Sequence, residues 1–178
     1  MIRLVTGGVR SGKSAYAEEL AARTGDRVLY VATGWAGDEE MAERIRRHRE
    51  RRPPSWTVVE ESLHPALALE KPGSWETVMV DCLSTWVTNR LMKWPQDLSS
   101  AEKEEQIRSL VEEADDLITA LSGREAVLVT SETGWGGVAM SPLGRLFQDA
   151  LGAVNQRVAQ FADEVWMVIS GIPWRVKG

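Results

Sequence analysis

The stretch IRLVTGGVRSGKS, residues 2–14, decides the fold. Its first five residues are apolar or β-branched apart from Arg3, which suits a buried strand. The next eight, GGVRSGKS, fit the pattern GxxxxGK followed by Ser or Thr, and the run from Lys13 reads as a helix. Strand, glycine-rich turn and helix in that order make a phosphate-binding loop. Its glycines let successive backbone N–H groups turn inward around phosphate oxygens, and the helix N-terminus adds its positive dipole end. Lys13 can reach the β- and γ-phosphates and Ser14 can offer a hydroxyl to Mg2+. Gly7, Gly8, Val9, Arg10, Ser11, Gly12, Lys13 and Ser14 are therefore nucleotide-contact candidates, with Lys13 also catalytic.

Outward from that loop, short apolar β-branched runs recur at residues 28–33, 57–59, 77–81, 126–130 and 165–170, each reading as a buried strand. Helical segments separate most of them, at 13–23, 38–51, 83–93, 100–121 and 142–162. In segment 100–121, Ile107, Leu110, Val111, Ala114, Leu117, Ile118 and Leu121 form one apolar stripe, and its glutamates read as a solvated face. Unalternated strands separated by helices predict an α/β, three-layer fold of the phosphate-loop class, its mainly parallel sheet covered on both faces. With 178 residues and 43% hydrophobic composition, residues 1–178 read as a single nucleotide-binding catalytic domain. The acidic partner such a loop requires stands at the end of TVMVDC: Asp81 can hold Mg2+ directly or through water, although an Asp there also suits a helix cap.

Charge is distributed unevenly. The chain carries -5, while RIRRHRERR, residues 44–52, carries +5 from six arginines and one glutamate. An acidic chain has no general affinity for nucleic acid, so this cationic segment suits a small anion such as a nucleotide phosphate. The single cysteine, Cys82, forms no internal disulfide and reads as packing on a buried strand. MIRLVTGG has no leader-like pattern and the apolar runs are strand-sized, so the expectation is a cytoplasmic protein without a membrane span.

Segment 38–51 obeys the helix dipole, with Asp38 as N-cap, Glu39 and Glu40 in the first turn, arginines in the last and Pro53-Pro54 as the stop. Within it, His48 shares a face with Arg44, Ile45, Arg51 and Arg52 at three- and four-residue offsets. Flanking guanidinium groups disfavour imidazolium, so the expectation is a neutral, nucleophilic His48 whose arginines balance the charge of a phosphorus centre under attack.

The segments LVTGGVRSGKS, VLYVATG, DEEMAERIRRHRERRPPSWTVVEE, VDCLSTWVTN and NQRVAQFADEVWMVISGIP carry a more specific message. The chain resembles the bifunctional adenosylcobinamide kinase/adenosylcobinamide-phosphate guanylyltransferase family of cobalamin biosynthesis, nearly end to end. The resemblance implies that His48 becomes covalently attached to GMP. It also implies nucleotide contacts from residues 7–14, from Thr33, Gly34 and Trp35, from Arg49, Glu50, Arg51 and Arg52, and from Glu60 and Asp81. Mg2+ held by Ser14 and Asp81, a homotrimer, and GTP, ATP, adenosylcobinamide and its phosphate as partners are further implications.

Three positions depart from the family's pattern. Arg47 stands where relatives often carry a second histidine, SETGWGGVAMSP replaces the usual NEVGxGxVP, and RLFQD has Gln148 for an arginine. Of the tryptophans, Trp35 could stack on guanine and Trp135 could face the corrinoid, with packing the reading for most others. His64 reads as an exposed boundary residue, and Asn155, Gln156 and Asp163 as capping or bridging groups that also match the family. The rival readings are a phosphate-loop small-molecule kinase without guanylyl transfer and a non-catalytic nucleotide switch.

Overall fold

The computed structural model describes residues 1–34, 46 and 53–178. Among the described residues seven strands form one sheet: β1 (Ile2–Gly7), β2 (Val28–Ala32), β3 (Thr57–Glu60), β4 (Thr77–Asp81), β5 (Glu125–Val129), β6 (Glu164–Ile169) and β7 (Ile172–Lys177). Their order is β3-β2-β4-β5-β1-β6-β7. All neighbouring pairs are parallel except β6 and β7. Helices α1 (Lys13–Thr24), α2 (Leu83–Leu91), α3 (Ser100–Leu121) and α4 (Pro142–Phe161) connect the strands, so the expected mainly parallel α/β sheet is observed.

Strand side chains alternate between two cores, as the pleat requires. Val5, Tyr30, Met79, Val127 and Val129 pack on α1 through Ala17, Leu20 and Ala21. Leu4, Leu29, Val31, Val78, Val80 and Leu128 face α2, α3 and α4, meeting Trp86, Leu110, Leu117 and Leu151. Burial on both faces explains the unalternated runs, and each fully buried Leu or Val among them stabilises the fold by about 1.5–3 kcal/mol. Helix α3 starts at a reciprocal capping box between Ser99 and Glu102.

The structure corrects four readings. Two strands expected to be buried are not: β3 is an edge strand with only Val59 buried, because one neighbour and no covering helix among the described residues leaves its other side chains exposed, and β6, next to the exposed edge strand β7, buries only Val168. The antiparallel β7 was not expected; it follows a tight turn in which Ser170 (φ 52°) and Gly171 (φ 81°) both lie in the left-handed region, the geometry a two-residue hairpin demands. The glutamates of α3 are not uniformly solvated: Glu102 caps, and Glu113 pairs with Arg90 at 2.5 Å. Cys82 lies beyond β4 as the residue before α2, its sulfur within 2.9 Å of Ser84 Oγ and 3.0 Å of Thr85 Oγ1.

The bridging readings of Asn155 and Asp163 hold. Asn155 on α4 accepts from Thr130 Oγ1 at 2.6 Å and donates to the Ser131 carbonyl at 3.0 Å. Asp163 and Ile2 exchange two bonds, of 2.6 and 2.8 Å, that pin β6 to β1. His64 is an exposed boundary residue that also lies 3.5 Å from Glu113, at the rim of a cavity of about 260 Å³ lined by Leu67, Trp86 and Asp116.

Candidate active site

Parallel pairing brings the C-terminal ends of β1, β2, β3, β4 and β5 to one edge of the sheet, where α/β sheets bind ligands. Gly7 ends β1, and residues 8–12 turn from it into α1. Three glycine-related features shape that turn. A Cβ on Gly7 would stand 2.5 Å from the Val168 carbonyl and 2.6 Å from Ser11 Oγ. Gly12, the residue before α1, has φ 94°, a conformation that favours glycine. Among the described residues nothing occupies the place of a Cβ on Gly8. Val9 and Arg10 are exposed, and the turn between β6 and β7 braces the loop through Gly171 N–H donating to the Ser11 carbonyl at 2.8 Å.

Among the described residues no side chain caps α1, and its first turn holds no acidic residue, which leaves the helix N-terminus suited to an anion held by the loop. Lys13 is buried and its Nζ donates to the Gly8 carbonyl at 3.2 Å, folding the ammonium back across the loop. The buried Ser11 hydroxyl has no hydrogen-bond partner among the described residues, an orphan beside the place where phosphate oxygens would lie.

Asp81 closes the site from β4. Its Oδ1 accepts from Ser14 Oγ at 3.4 Å and its Oδ2 from the Tyr30 hydroxyl at 2.7 Å. Two hard oxygen donors, a hydroxyl and a carboxylate, are the set that suits Mg2+, which completes its shell with water and phosphate oxygens. Thr33 is fully buried at the end of β2: its hydroxyl accepts from Cys82 N–H and donates to the Cys82 carbonyl, both at 2.8 Å. Asn89 on α2 donates to the Thr33 carbonyl at 2.8 Å and to that of Ser62 at 3.0 Å, fixing the segments that leave β2 and β3. Glu60 ends β3 in line with Ala32 and Asp81 across three strands.

The structure therefore gathers Gly7, Gly8, Val9, Arg10, Ser11, Gly12, Lys13, Ser14, Thr33, Gly34, Glu60 and Asp81 at one end of the sheet. His48, Trp35, Arg49, Glu50, Arg51 and Arg52 lie outside the described residues, as does the helix expected at 38–51 apart from Arg46. Burial, reinforced by the negative charge of Asp81, raises the pKa of the Cys82 thiol, in keeping with a packing role. Sequence reasoning missed Tyr30, Asn89 and the brace from Gly171. Tyr30 carried a usable signal, a lone hydroxyl in the apolar run VLYVA, but which carboxylate it meets depends on strand order.

The sheet order, the phosphate loop after β1 and the carboxylate that ends β4, one strand removed, define a phosphate-loop nucleotide-binding protein of the α/β class. The family model described as cobinamide kinase / cobinamide phosphate guanyltransferase matches residues 3–176. The chain is 42% identical over 182 residues to the bifunctional adenosylcobalamin biosynthesis protein CobU of Escherichia coli strain K12, covering 99% of this chain and 100% of the relative. It is 39% identical over 176 residues to the bifunctional adenosylcobalamin biosynthesis protein CobP of Pseudomonas aeruginosa, covering 98% and 96%. CobU of Salmonella typhimurium is similar at 41% over 187 residues, covering 99% and 100%. The chain belongs to the cobinamide kinase / cobinamide phosphate guanyltransferase family.

Proposed function

We propose that the chain works as one catalytic domain that phosphorylates adenosylcobinamide with ATP or GTP. It then transfers GMP from GTP to the product, giving adenosylcobinamide-GDP. The observation that carries this reading is the phosphate loop set against Asp81, in a chain the family matches almost end to end. A kinase lacking guanylyl transfer, or a nucleotide switch, is not favoured by relatives named as bifunctional over their whole length.

In the first step the loop amides and Lys13 hold the triphosphate while the acceptor hydroxyl attacks the γ-phosphorus. The new O–P bond replaces the bond to the nucleoside diphosphate, and the hydroxyl proton leaves. Placement and charge neutralisation do most of this work. Ser14 and Asp81 would hold Mg2+, which when bound neutralises charge on the β- and γ-phosphate oxygens.

In the second step a ring nitrogen of His48 attacks the α-phosphorus of GTP. An N–P bond forms, the bond to pyrophosphate breaks, and pyrophosphate leaves with the electron pair. A phosphate oxygen of adenosylcobinamide phosphate then displaces His48 and takes the GMP. Splitting the displacement in two lets a neutral imidazole carry the group. Trp35, Gly34, Thr33, Glu60, Arg49, Glu50, Arg51 and Arg52 contact the nucleotide in this reading. Because the two steps attack different phosphorus atoms, the His48 segment or the nucleotide shifts between them. A cytoplasmic homotrimer belongs to the same reading, supported by the resemblance; the exposed apolar row Ile172, Trp174 and Val176 along β7 suits a subunit interface.

The test is incubation of the protein with adenosylcobinamide, Mg2+ and GTP, with products weighed by mass spectrometry. Sequential gain of a phosphoryl group and then of GMP is expected. A phosphorylated product that never gains GMP would leave only the kinase, and an unchanged substrate would overturn the reading.

A further inference from the structure

The loop after β5 has a feature the nucleotide chemistry does not use. β5 lies between β4, which ends in Asp81, and β1, which ends in the phosphate loop. The loop leaves this position with Glu132 N–H donating to the Gly7 carbonyl at 3.2 Å and with Ser84 Oγ donating to Ser131 Oγ at 3.3 Å. It therefore begins between the two halves of the site.

Its backbone is fixed largely by polar contacts. Gln148 on α4 accepts from Ala139 N–H at 2.8 Å and donates to the carbonyls of Thr133 and Gly137 at 3.1 and 2.9 Å. Arg145 donates to the carbonyls of Ala139 and Met140 at 3.1 and 2.7 Å, and Glu132 accepts from Thr133 N–H and Gly134 N–H, both at 3.1 Å. Gly144 allows Ala139 to approach the helix, since a Cβ there would stand 2.8 Å from Ala139 Cβ.

Held in this way, the loop turns its large apolar side chains outward. Trp135 is 69% exposed, Val138 81% and Met140 97%. A loop shaped by this many hydrogen bonds gains nothing for folding from exposed Trp, Val and Met, and grouped exposed apolar side chains mark a binding surface. Triphosphate oxygens seek cations and clusters of N–H donors, whereas these three side chains carry no charge and offer a single donor, the indole N–H of Trp135. The reaction's other reactant is a large macrocycle with methyl-bearing faces and an amide-bearing rim, and its reacting hydroxyl must reach the phosphate loop next door.

We propose that residues 133–140, held in shape by Gln148, form the seat of the corrin macrocycle, with Trp135, Val138 and Met140 as its apolar contacts. Gln148 is a positioning residue in this account: its amide both donates and accepts, and the donor-only guanidinium of an arginine could not accept from Ala139 N–H. The inference rests on the reading of the chain as a cobinamide-modifying enzyme.

The test measures cobinamide binding by equilibrium dialysis and, separately, binding of a fluorescent GTP analogue. Wild type, Trp135→Ala, Met140→Ala and Gln148→Glu are compared, with melting curves checking that each variant is folded. Trp135→Ala and Met140→Ala change exposed side chains, so folding should survive. About tenfold weaker cobinamide binding with unchanged GTP-analogue binding is expected for Trp135→Ala. Gln148→Glu should raise KM for the corrinoid while leaving kcat and the nucleotide KM near wild type. Unchanged cobinamide binding in Trp135→Ala and Met140→Ala would overturn the inference and leave the proposed function standing. The same binding result with a smaller particle in sedimentation would assign the surface to a second copy and also overturn it. A wild-type protein that binds no cobinamide would remove the proposed function as well.

Discussion

Tyr30 donates its phenolic hydrogen to Asp81 Oδ2 at 2.7 Å from the adjacent strand, while Ser14 approaches the other carboxylate oxygen. The buried tyrosine thereby fixes the rotation of the carboxylate and leaves Oδ1 facing the phosphate loop. Such outer contacts tune metal sites by orienting the ligand. Tyr30→Phe keeps the ring and removes only the hydroxyl. It should raise the Mg2+ concentration for half-maximal phosphorylation by about tenfold, with kcat at saturating Mg2+ near wild type. A variant with a wild-type Mg2+ requirement would remove Tyr30 from the account.

Gly12 offers a backbone test of the loop. Its φ of 94° lies where an L side chain is strained, and a Cβ there would stand 3.3 Å from Gly171 Cα. Gly12→Ala should cost about 1–2 kcal/mol in the loop conformation and weaken nucleotide binding by roughly tenfold. Isothermal titration with a non-hydrolysable triphosphate measures this, and unchanged affinity would show that the loop tolerates another geometry.

The Cys82 thiol gives a pH prediction. Burial raises its pKa in the folded protein above the ordinary value. The unfolded chain therefore loses the thiol proton first as pH rises, so this group's contribution to stability is intact below the ordinary thiol pKa and is lost as pH climbs toward the folded value. Denaturant midpoints should fall more steeply with alkaline pH in wild type than in Cys82→Ser. Because the raised pKa leaves little thiolate, thiol reagents at pH 7–8 should modify the partly exposed Cys82 of the folded protein more slowly than that of the denatured chain; equal rates would contradict the raised pKa.

Much of this molecule is legible in its sequence, and the reasons are physical. The centre of TVMVD, Val78 to Val80, is apolar without alternation because both faces of β4 are covered, so composition alone exposes such strands. The phosphate loop is legible because its chemistry needs glycine, lysine and serine at fixed spacing. The Tyr30–Asp81 contact was not, since it depends on β2 lying next to β4, which no local pattern encodes. β7 left a readable trace in Ser170-Gly171 between two apolar runs, a hairpin signal outweighed by the parallel pattern before it. Gln148 looked like a lost cation in the sequence; its three hydrogen bonds to the loop become visible only in three dimensions.

The most direct test of the central claim uses GTP labelled at the α-phosphate, incubated with the protein and Mg2+ and followed by denaturation. The account predicts label retained on wild type as an acid-labile, base-stable adduct, absent from His48→Ala and greatly reduced in Lys13→Ala. Wild-type protein that retains no label, or His48→Ala that retains as much as wild type, would contradict it.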